Sequence, residues 1–188
     1  MSSIKIFKRT FNKFVHYHRI FFKNRQYIFV HNGPFERSEK SIFNFEHYEK
    51  FCLIPDDVKN LIILKEGFEA LSMTEKEMSQ FSTLWVAFYH GIPAGHQSVR
   101  RGKYFKKWFV GLNENDIVFF RTITYREFRG QGVCPAIMQQ AMHILLRDGD
   151  RAFVDCKIYN KPAIRAFLKN NFRLLAKMKP ITREQALG

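Results

Sequence analysis

The sequence has little of what a disulfide-bonded, zinc-binding or membrane-spanning protein needs. Its three cysteines, Cys52, Cys134 and Cys156, are odd in number and lack a C-x-x-C spacing, which argues against a disulfide framework or a zinc site. No apolar run approaches the roughly 18 residues that cross a bilayer, and charged residues from Lys5 onward interrupt any secretory signal. These features favour a cytoplasmic protein.

Acidic residues are also scarce, above all near the N-terminus. The 188 residues include 31 Lys and Arg against 17 Asp and Glu, a formal charge of +14, and no acidic residue precedes Glu36. Such a charge favours an anionic partner, which means nucleic acid, an anionic membrane surface or a phosphate-rich cofactor. The composition, 46% hydrophobic with 21 Phe, indicates one folded domain with a substantial core.

Residues 1–25 form a basic arm that we separate from a single domain at residues 26–188. Phe7 and Phe11 are among apolar residues at helical spacing, and Lys8 lies on the other side of the pattern. This arrangement predicts a basic amphipathic helix. It either docks on the body with a solvated basic face or binds an anionic membrane surface or a partner.

The rest of the chain predicts strands and helices that alternate towards the C-terminus. Residues 41–82 are predicted to be helical, with one helix beginning at Pro55 and a second capped by Ser72 or Thr74. Two further helices are predicted, one opened by Gly132 and one capped by Asn160. The predicted strands are residues 26–30, as the first strand of the sheet, 84–90, 92–99, 116–126, 152–158 and 172–179. The alternation indicates an α/β sheet.

The stretch "FRGQGVCPAIMQQ", residues 128–140, places a glycine turn between a buried strand and a helix. Backbone N-H groups at such a point lack intrahelical acceptors, and the helix dipole adds positive charge, so the turn suits a phosphate group. Glycine permits positive φ and close approach. The turn lacks the Gly-Lys-Ser/Thr of a P-loop and the third glycine of a dinucleotide fingerprint. On the local sequence alone, a strand-to-helix turn in which the glycines serve only backbone geometry explains this stretch equally well.

Two motifs, and the order in which they occur, resemble those of the GNAT acyltransferase superfamily. Members of this superfamily move an acyl group from coenzyme A to an amine. The first is the family signature of Arg or Gln, two residues, Gly, one residue, then Gly or Ala. It matches Arg129, Gly130, Gln131, Gly132, Val133 and Cys134. The second follows the next strand and matches Asn160, Ala163, Phe167 and Phe172. The similarity covers roughly residues 84–179.

The resemblance implies a mixed central sheet flanked by helices and acetyl-CoA as the acyl donor. It implies that backbone amides of the glycine turn hold the pyrophosphate, and that main-chain groups near Thr124 and Arg126 pair with the pantetheine arm. Asn160 is a candidate pantetheine contact, with helix capping as an equal alternative. The expected cofactor-binding residues are Thr124, Arg126, Arg129, Gly130, Gln131, Gly132, Val133, Cys134 and Asn160.

Three residues depart from the family pattern. Cys134 stands where Gly or Ala is usual, and Asn171 replaces a Gly for which a left-handed conformation is expected. The third, Phe167, replaces an aromatic residue that in the family is often a Tyr acting as general acid, and a phenyl ring has no proton to give. Tyr159 lies nearby in sequence but before the helix, so the general acid is unassigned.

A general base is needed if the amine arrives protonated. The candidates are His90, His96, Asp116, Glu127 and Asp155, and each also has a structural explanation. Cys134 and Cys156 are weaker candidates as nucleophiles, since neither has a paired His in a recognised arrangement.

Two functions follow from these patterns. The leading interpretation is an N-acetyltransferase that uses acetyl-CoA and an amine acceptor of unknown class, for which an amino sugar is one analogy. The alternative is a catalytically reduced module of the same fold that binds nucleic acid or an anionic membrane through its basic surface. In either case we expect a cytoplasmic protein, with peripheral membrane contact if residues 1–25 bind lipid.

Overall fold

A computed structural model describes residues 25–36 and 41–180, and the predicted arm lies outside them except for Arg25. These residues form seven strands and four α-helices. The strands are β1 Gln26–Asn32, β2 Asn44–Tyr48, β3 Ser82–Tyr89, β4 Ile92–Arg101, β5 Ile117–Thr124, β6 Arg151–Lys157 and β7 Arg173–Met178. The helices are α1 Asp56–Glu66, α2 Phe68–Met78, α3 Val133–Leu145 and α4 Lys161–Lys169. Among these helices, none has the length and apolar composition needed to cross a bilayer.

The seven strands form one mixed sheet in the order β2-β3-β4-β5-β6-β1-β7. Strands β5 and β6 are parallel and are connected through α3, whereas every other neighbouring pair is antiparallel. The α/β prediction with a mixed sheet is therefore confirmed. The predicted first strand is first in the chain but not at the sheet edge, because β1 inserts between β6 and β7.

Helices cover both faces of the sheet. On one face, which we call the α1–α2 face, Ile54, Val58 and Ile62 pack against Leu84 and Val86 of β3. On the other face, α3 and α4 cover a larger cluster. That cluster includes Phe29, Trp85, Phe119, Ile137, Met138 and Phe167. The alternation of Leu84 and Trp85 between the two clusters follows from the two-residue period of a strand.

Two details of the region 41–82 were predicted wrongly. Residues 44–48 form β2, a strand paired with β3, where a helical pattern was expected. Gly67 has a φ of +93°, which ends α1 at Glu66. The second helix begins directly after it, at Phe68, so neither Ser72 nor Thr74 caps this helix. Thr74 instead lies inside α2, where its hydroxyl donates to the carbonyl oxygen of Ala70 at 2.9 Å.

Most other elements match their predictions to within a few residues. Pro55 directly precedes α1, Gly132 directly precedes α3, and Asn160 caps α4. Asn171 has a φ of +59°, as expected for its left-handed position. Strand β5 ends at Thr124, two residues short of the prediction, and only its first three residues are buried. The half-buried remainder borders the site described next.

Candidate functional site

A V-shaped opening separates β5 from β6. The two strands pair at Ile117 with Ala152, Val118 with Phe153, and Phe119 with Val154, and no further pair follows within the described strands. Because β5 continues to Thr124 and β6 to Lys157, residues 120–124 and 155–157 face each other across a gap. The gap opens towards the carboxyl ends of both strands, which is where ligands bind in open α/β sheets.

Asp116 closes the other end of this V. The residue is fully buried, and its carboxylate accepts hydrogen bonds from the backbone N-H of Arg151 at 3.1 Å and from the guanidinium at 2.5 Å. It also accepts the backbone N-H of Asn113 at 2.6 Å. Asp116 therefore joins the starts of β5 and β6, and its position is structural rather than catalytic.

A β-bulge in β5 accompanies the divergence of the strands. Between the pairs His96–Ile123 and Ser98–Phe120, Gln97 of β4 stands opposite both Arg121 and Thr122. Arg121 adopts a φ of +49°, which costs energy for a non-glycine residue. Its guanidinium donates to the carbonyl oxygen of Ala70 at 2.6 Å, so helix α2 holds the bulge in place.

The predicted glycine turn lies at the mouth of the opening. Gly130 and Gly132 both have a φ of +83°, and a Cβ built on either would meet no described atom within 4 Å. Gly132 precedes α3 without a side-chain cap from the described residues. The N-H groups of Val133 and Cys134 begin the helix without an intrahelical acceptor, and Pro135 after them has no N-H, so the turn offers two helix amides that suit an anion.

The flanking residues of this turn also lie at the mouth. Arg126 and Arg129 are exposed, and Nε of Arg129 donates to the carbonyl oxygen of Thr124 at 3.3 Å. Gln131 is exposed, and its amide donates to the backbone of Glu127 at 3.1 Å. The structure thus brings the expected cofactor residues from Thr124 to Gln131 together on one loop, with both arginines accessible.

The other expected cofactor residues follow on two helices. Val133 is buried and Cys134 half-buried in the first turn of α3, so only their backbone faces the turn. Asn160 follows β6 and lies at the same edge of the sheet, because β5 and β6 are parallel. Its side chain accepts the backbone N-H of Ala163 at 3.3 Å, which accounts for helix capping.

Of the two aromatic candidates, Phe167 has no proton to donate. Phe167 is 4% exposed, and its ring packs 5.4 Å from that of Phe29 in the core. Tyr159 is 47% exposed before α4. The position of Phe167 leaves the general acid unassigned.

Both predicted thiol candidates are held protonated. Burial raises the pKa of the Cys134 thiol to about 12. Burial, assisted by the nearby Asp155 carboxylate, raises the pKa of Cys156 to about 11. Because a thiolate is the reactive species, these values argue against either cysteine as a nucleophile.

Two of the five candidate bases lie in exposed positions. His90 occupies the β3–β4 turn with a φ of +48°. Glu127 is ion-paired with Lys65 of α1, and this hydrogen bond lowers the pKa of its carboxyl group. A carboxyl group with a lowered pKa is a poor proton acceptor.

His96 belongs to a buried polar cluster that the sequence did not reveal. Its Nε2 lies 2.6 Å from Oε1 of Glu66, which also accepts the hydroxyl of Tyr125 at 3.5 Å. Burial and the Glu66 carboxylate raise the pKa of Tyr125. His96 is 1% exposed, and its Nδ1 has no partner among the described residues. The only sequence signal was the presence of polar residues at alternate positions of β4, namely His96, Ser98 and Arg100, which share the α1–α2 face.

Asp155 is the candidate base that borders the opening. It is half-buried and lies one residue beyond the last β5–β6 pair. Gln26 of β1 donates a hydrogen bond to its Oδ2. Burial raises the pKa of Asp155 to about 6, against the lowering effects of Lys157 and of the Gln26 hydrogen bond.

Comparisons with known proteins agree with this geometry. Residues 40–172 match the model of the acetyltransferase (GNAT) family. A GNAT-family acetyltransferase of Novosphingobium aromaticivorans has a TM-score of 0.56 at 14% identity, over 82% of this chain and 61% of that one. An acetyltransferase of Colwellia psychrerythraea has a TM-score of 0.55 at 14% identity, over 83% and 54%.

A third similar structure is a tandem GNAT protein from the clavulanic acid biosynthesis pathway. Its TM-score is 0.52 at 15% identity, over 82% of this chain and 51% of that one. This chain thus spans 51% to 61% of the length of these three proteins, and the low identities show a shared fold alone. No curated protein sequence matches the chain.

Proposed function

Because the chain belongs to the GNAT acetyltransferase family, we propose that it transfers an acetyl group from acetyl-CoA to a primary amine. The observation that carries this proposal is the opening between β5 and β6, which leads directly to an uncapped glycine turn. A gap lined by strand backbone suits an extended arm, and first-turn amides suit a phosphate group. Coenzyme A has both parts in the same order.

The residues at the mouth fit the pyrophosphate of acetyl-CoA. Backbone N-H groups from Gly130 to Cys134 would hold it, except that of Gln131, which donates to the carbonyl oxygen of Phe128. No described atom lies within 4 Å of a Cβ built on either glycine. The exposed guanidinium groups of Arg126 and Arg129 would add charge-assisted contacts. Within the opening, the main chain of Thr122 and Thr124 would pair with the pantetheine arm as an added strand does.

The thioester supplies an activated acyl carbon, so little covalent chemistry is left to the protein. The chain has to orient the amine, polarise the carbonyl oxygen with N-H groups, and accept protons from the amine nitrogen. The attack joins nitrogen to the acyl carbon and breaks the carbon-sulfur bond. An ammonium group loses two protons in the reaction. One passes to the sulfur of coenzyme A and the other passes to solvent. Phe167 gives no proton, so the sulfur takes its proton from the amine itself or from water.

Thermal denaturation with acetyl-CoA tests the proposal. A ligand at 100 times its Kd stabilises the folded state by about 2.7 kcal/mol, which for a protein of this size raises Tm by about 5 to 10 °C. Gly132→Leu places a side chain before the amides and should abolish this rise.

Gly149→Leu is the matched control for this experiment. Gly149 has a φ of +84°, near that of Gly132, and a Cβ there also meets no described atom within 4 Å. It precedes β6, at the edge of the sheet opposite the mouth. Both variants should lose similar stability without ligand, about 1 to 2 kcal/mol from the left-handed backbone. A wild-type protein without a rise, or a Gly132 variant with a normal one, would contradict the proposal.

A second candidate function is a catalytically reduced module that binds nucleic acid. The observation that favours it is the buried phenyl ring at Phe167 in a chain with a formal charge of +14. Fluorescence anisotropy with labelled DNA and RNA distinguishes the two functions. Tight binding that falls steeply with salt, together with no response to acetyl-CoA, would support the module.

The basic arm of residues 1–25 adds a proposal about location. We propose a cytoplasmic protein whose arm touches an anionic membrane surface, since its basic and apolar residues suit such a surface. Sedimentation with vesicles containing phosphatidylserine, with and without residues 1–25, measures this contact. An equal membrane-bound fraction for both proteins would exclude the arm as the anchor.

A further inference from the structure

The transfer proposed above requires a group that accepts a proton from the incoming amine. An ammonium nitrogen has no lone pair with which to attack, and the acceptor must lie close to the acyl carbon. Resting on that function, we propose that the carboxylate of Asp155 is this proton acceptor and that Gln26 positions it.

The register of the sheet places Asp155 at the apex of the opening. Val118 pairs with Phe153, and Phe153 pairs with Val30, so these three side chains share one face of the sheet. Asp155 follows Phe153 by two residues and lies on the same face. It is also the first residue of β6 beyond the pairing with β5. A carboxylate at this position borders the channel in which the acyl end of the cofactor would lie.

That face of the sheet is the α1–α2 face. Val118 pairs with Arg100, which pairs with Ser82 on the side of β3 that carries Leu84. Beyond α2, the segment 105–112 covers the closed end of the V, with Phe105 and Trp108 packed on Phe153 and Val118. Asp155 lies two residues beyond Phe153 and is half-buried.

Gln26 holds one oxygen of the carboxylate and leaves the other for the amine. Within the described residues, Gln26 is the sole side chain that donates to Asp155, and it contacts Oδ2. Gln26 pairs with Lys157 across the β1–β6 ladder, so its position is fixed by backbone hydrogen bonds. A neutral amide orients the carboxylate without neutralising it, unlike the arginine that holds Asp116.

The charged groups around Asp155 leave it able to take up a proton near neutrality. Burial raises the pKa of Asp155 to about 6, which outweighs the lowering effect of Lys157 on the same strand. Arg121, on the neighbouring β5, directs its guanidinium at α2. The segment 105–112 presents Phe105, Trp108, Val110 and Leu112.

The two fully buried base candidates are less suited. Asp116 is held by Arg151 at the closed end of the opening. His96 is 1% exposed and bound to Glu66 beneath α1. Asp155 retains partial exposure, which an incoming substrate requires.

The proton balance of the step is simple. The ammonium group gives one proton to the Asp155 carboxylate, and the neutral nitrogen attacks the acyl carbon. As the carbon-sulfur bond breaks, a second proton from nitrogen passes to the sulfur. The protonated Asp155 returns its proton to solvent, so one proton is released in each turnover.

A direct titration tests the state of Asp155 without any acceptor. Carbon-13 NMR of labelled Asp carboxyl groups, compared with Asp155→Asn for assignment, should show a midpoint near 6. Gln26→Leu removes a donor to the charged form, so its midpoint should lie higher than that of the wild type. Gln80→Leu, at the distant α2–β3 turn, should leave it unchanged. A wild-type midpoint near the ordinary value of 3.8 would overturn the proposal.

Kinetics then test the role itself. CoA release from acetyl-CoA is measured with ethanolamine, glucosamine, lysine amide and spermidine at millimolar concentration. Asp155→Asn should lower kcat/KM by at least about 100-fold and remove the acid limb of its pH profile. Gln26→Leu should shift that limb to higher pH. Asp155→Asn should keep the Tm rise caused by acetyl-CoA.

The outcomes separate this proposal from the function on which it rests. A wild-type protein with no Tm rise, or with no CoA release from any of the amines, contradicts the function and with it the role of Asp155. A normal rise together with an unchanged pH profile in Asp155→Asn overturns the role of Asp155 alone.

Discussion

Replacing Asp155 by Asn should stabilise the protein at neutral pH and leave its stability unchanged in acid. The pKa of this carboxyl group is about 6 in the folded protein against an ordinary 3.8. A group that binds its proton more tightly when folded stabilises the fold at low pH and loses that contribution as the pH rises from about 4 to 6. Asn has no charge to bury, so it avoids this loss.

The size of the effect follows from the shift. Two pKa units correspond to about 3 kcal/mol, because each unit is worth 1.36 kcal/mol. For a protein of this size, that free energy corresponds to about 6 to 12 °C in Tm. The Tm of Asp155→Asn should therefore exceed that of the wild type by this amount at about pH 7.5 and by almost nothing at about pH 3.

Differential scanning fluorimetry across this pH range measures the difference. Asp148→Asn is the control, because Asp148 is an exposed carboxylate in the loop before β6. Its difference from the wild type should stay near zero at every pH. If the Asp155 variant is less stable than the wild type at neutral pH, or if its advantage does not grow with pH, the burial argument is refuted.

Three further predictions concern other parts of the molecule. Asp116→Asn should lower the free energy of unfolding by about 3 to 5 kcal/mol in urea denaturation, because it leaves a buried ion pair broken; an unchanged value would contradict the structural role. Ellman's reagent at about pH 8 should modify exposed Cys52 quickly and Cys134 and Cys156 only after unfolding. Asn160→Ala should cost about 1 kcal/mol of stability, whereas Asn160→Asp keeps the cap; equal losses in both would indicate another role.

A stabilising substitution that abolishes activity would itself be informative about Asp155. A residue kept for packing destabilises the protein when it is replaced. A residue kept for chemistry often costs stability and can be replaced at a gain. Asp155 and Asp116 are expected to fall on opposite sides of this distinction, although both are carboxylates beside the same pair of strands.

The C-terminal part of the fold was predictable because its signals are local. Gly132 and Asn160 mark helix starts through their own backbone and side-chain chemistry, and both act within three residues. The glycine turn was predictable for the same reason, since its conformation depends on two glycines rather than on distant contacts.

Elements stabilised by distant contacts were missed. Strand β2 has five residues, mostly polar and exposed, and it is held by pairing with β3, where the ring of His47 stacks 4.6 Å from that of Trp85. The facing of Asp155 depends on the β1–β6 register and on where β5 and β6 stop pairing. Neither fact is encoded in the residues around Asp155.

The position of β1 has a consequence for how the protein folds. Gln26 and Asp155 are 129 residues apart in the chain, so this half of the sheet closes a long loop. At 5 to 20 residues per second, a ribosome needs roughly 6 to 25 s to make the intervening chain, during which Ile28, Phe29 and Val30 lack their native partners. Such non-local pairing slows folding and leaves apolar strands exposed, a condition in which chaperones assist folding. The carboxylate at the apex of the opening can therefore meet its hydrogen-bond donor only after the 128 residues between them have been synthesised.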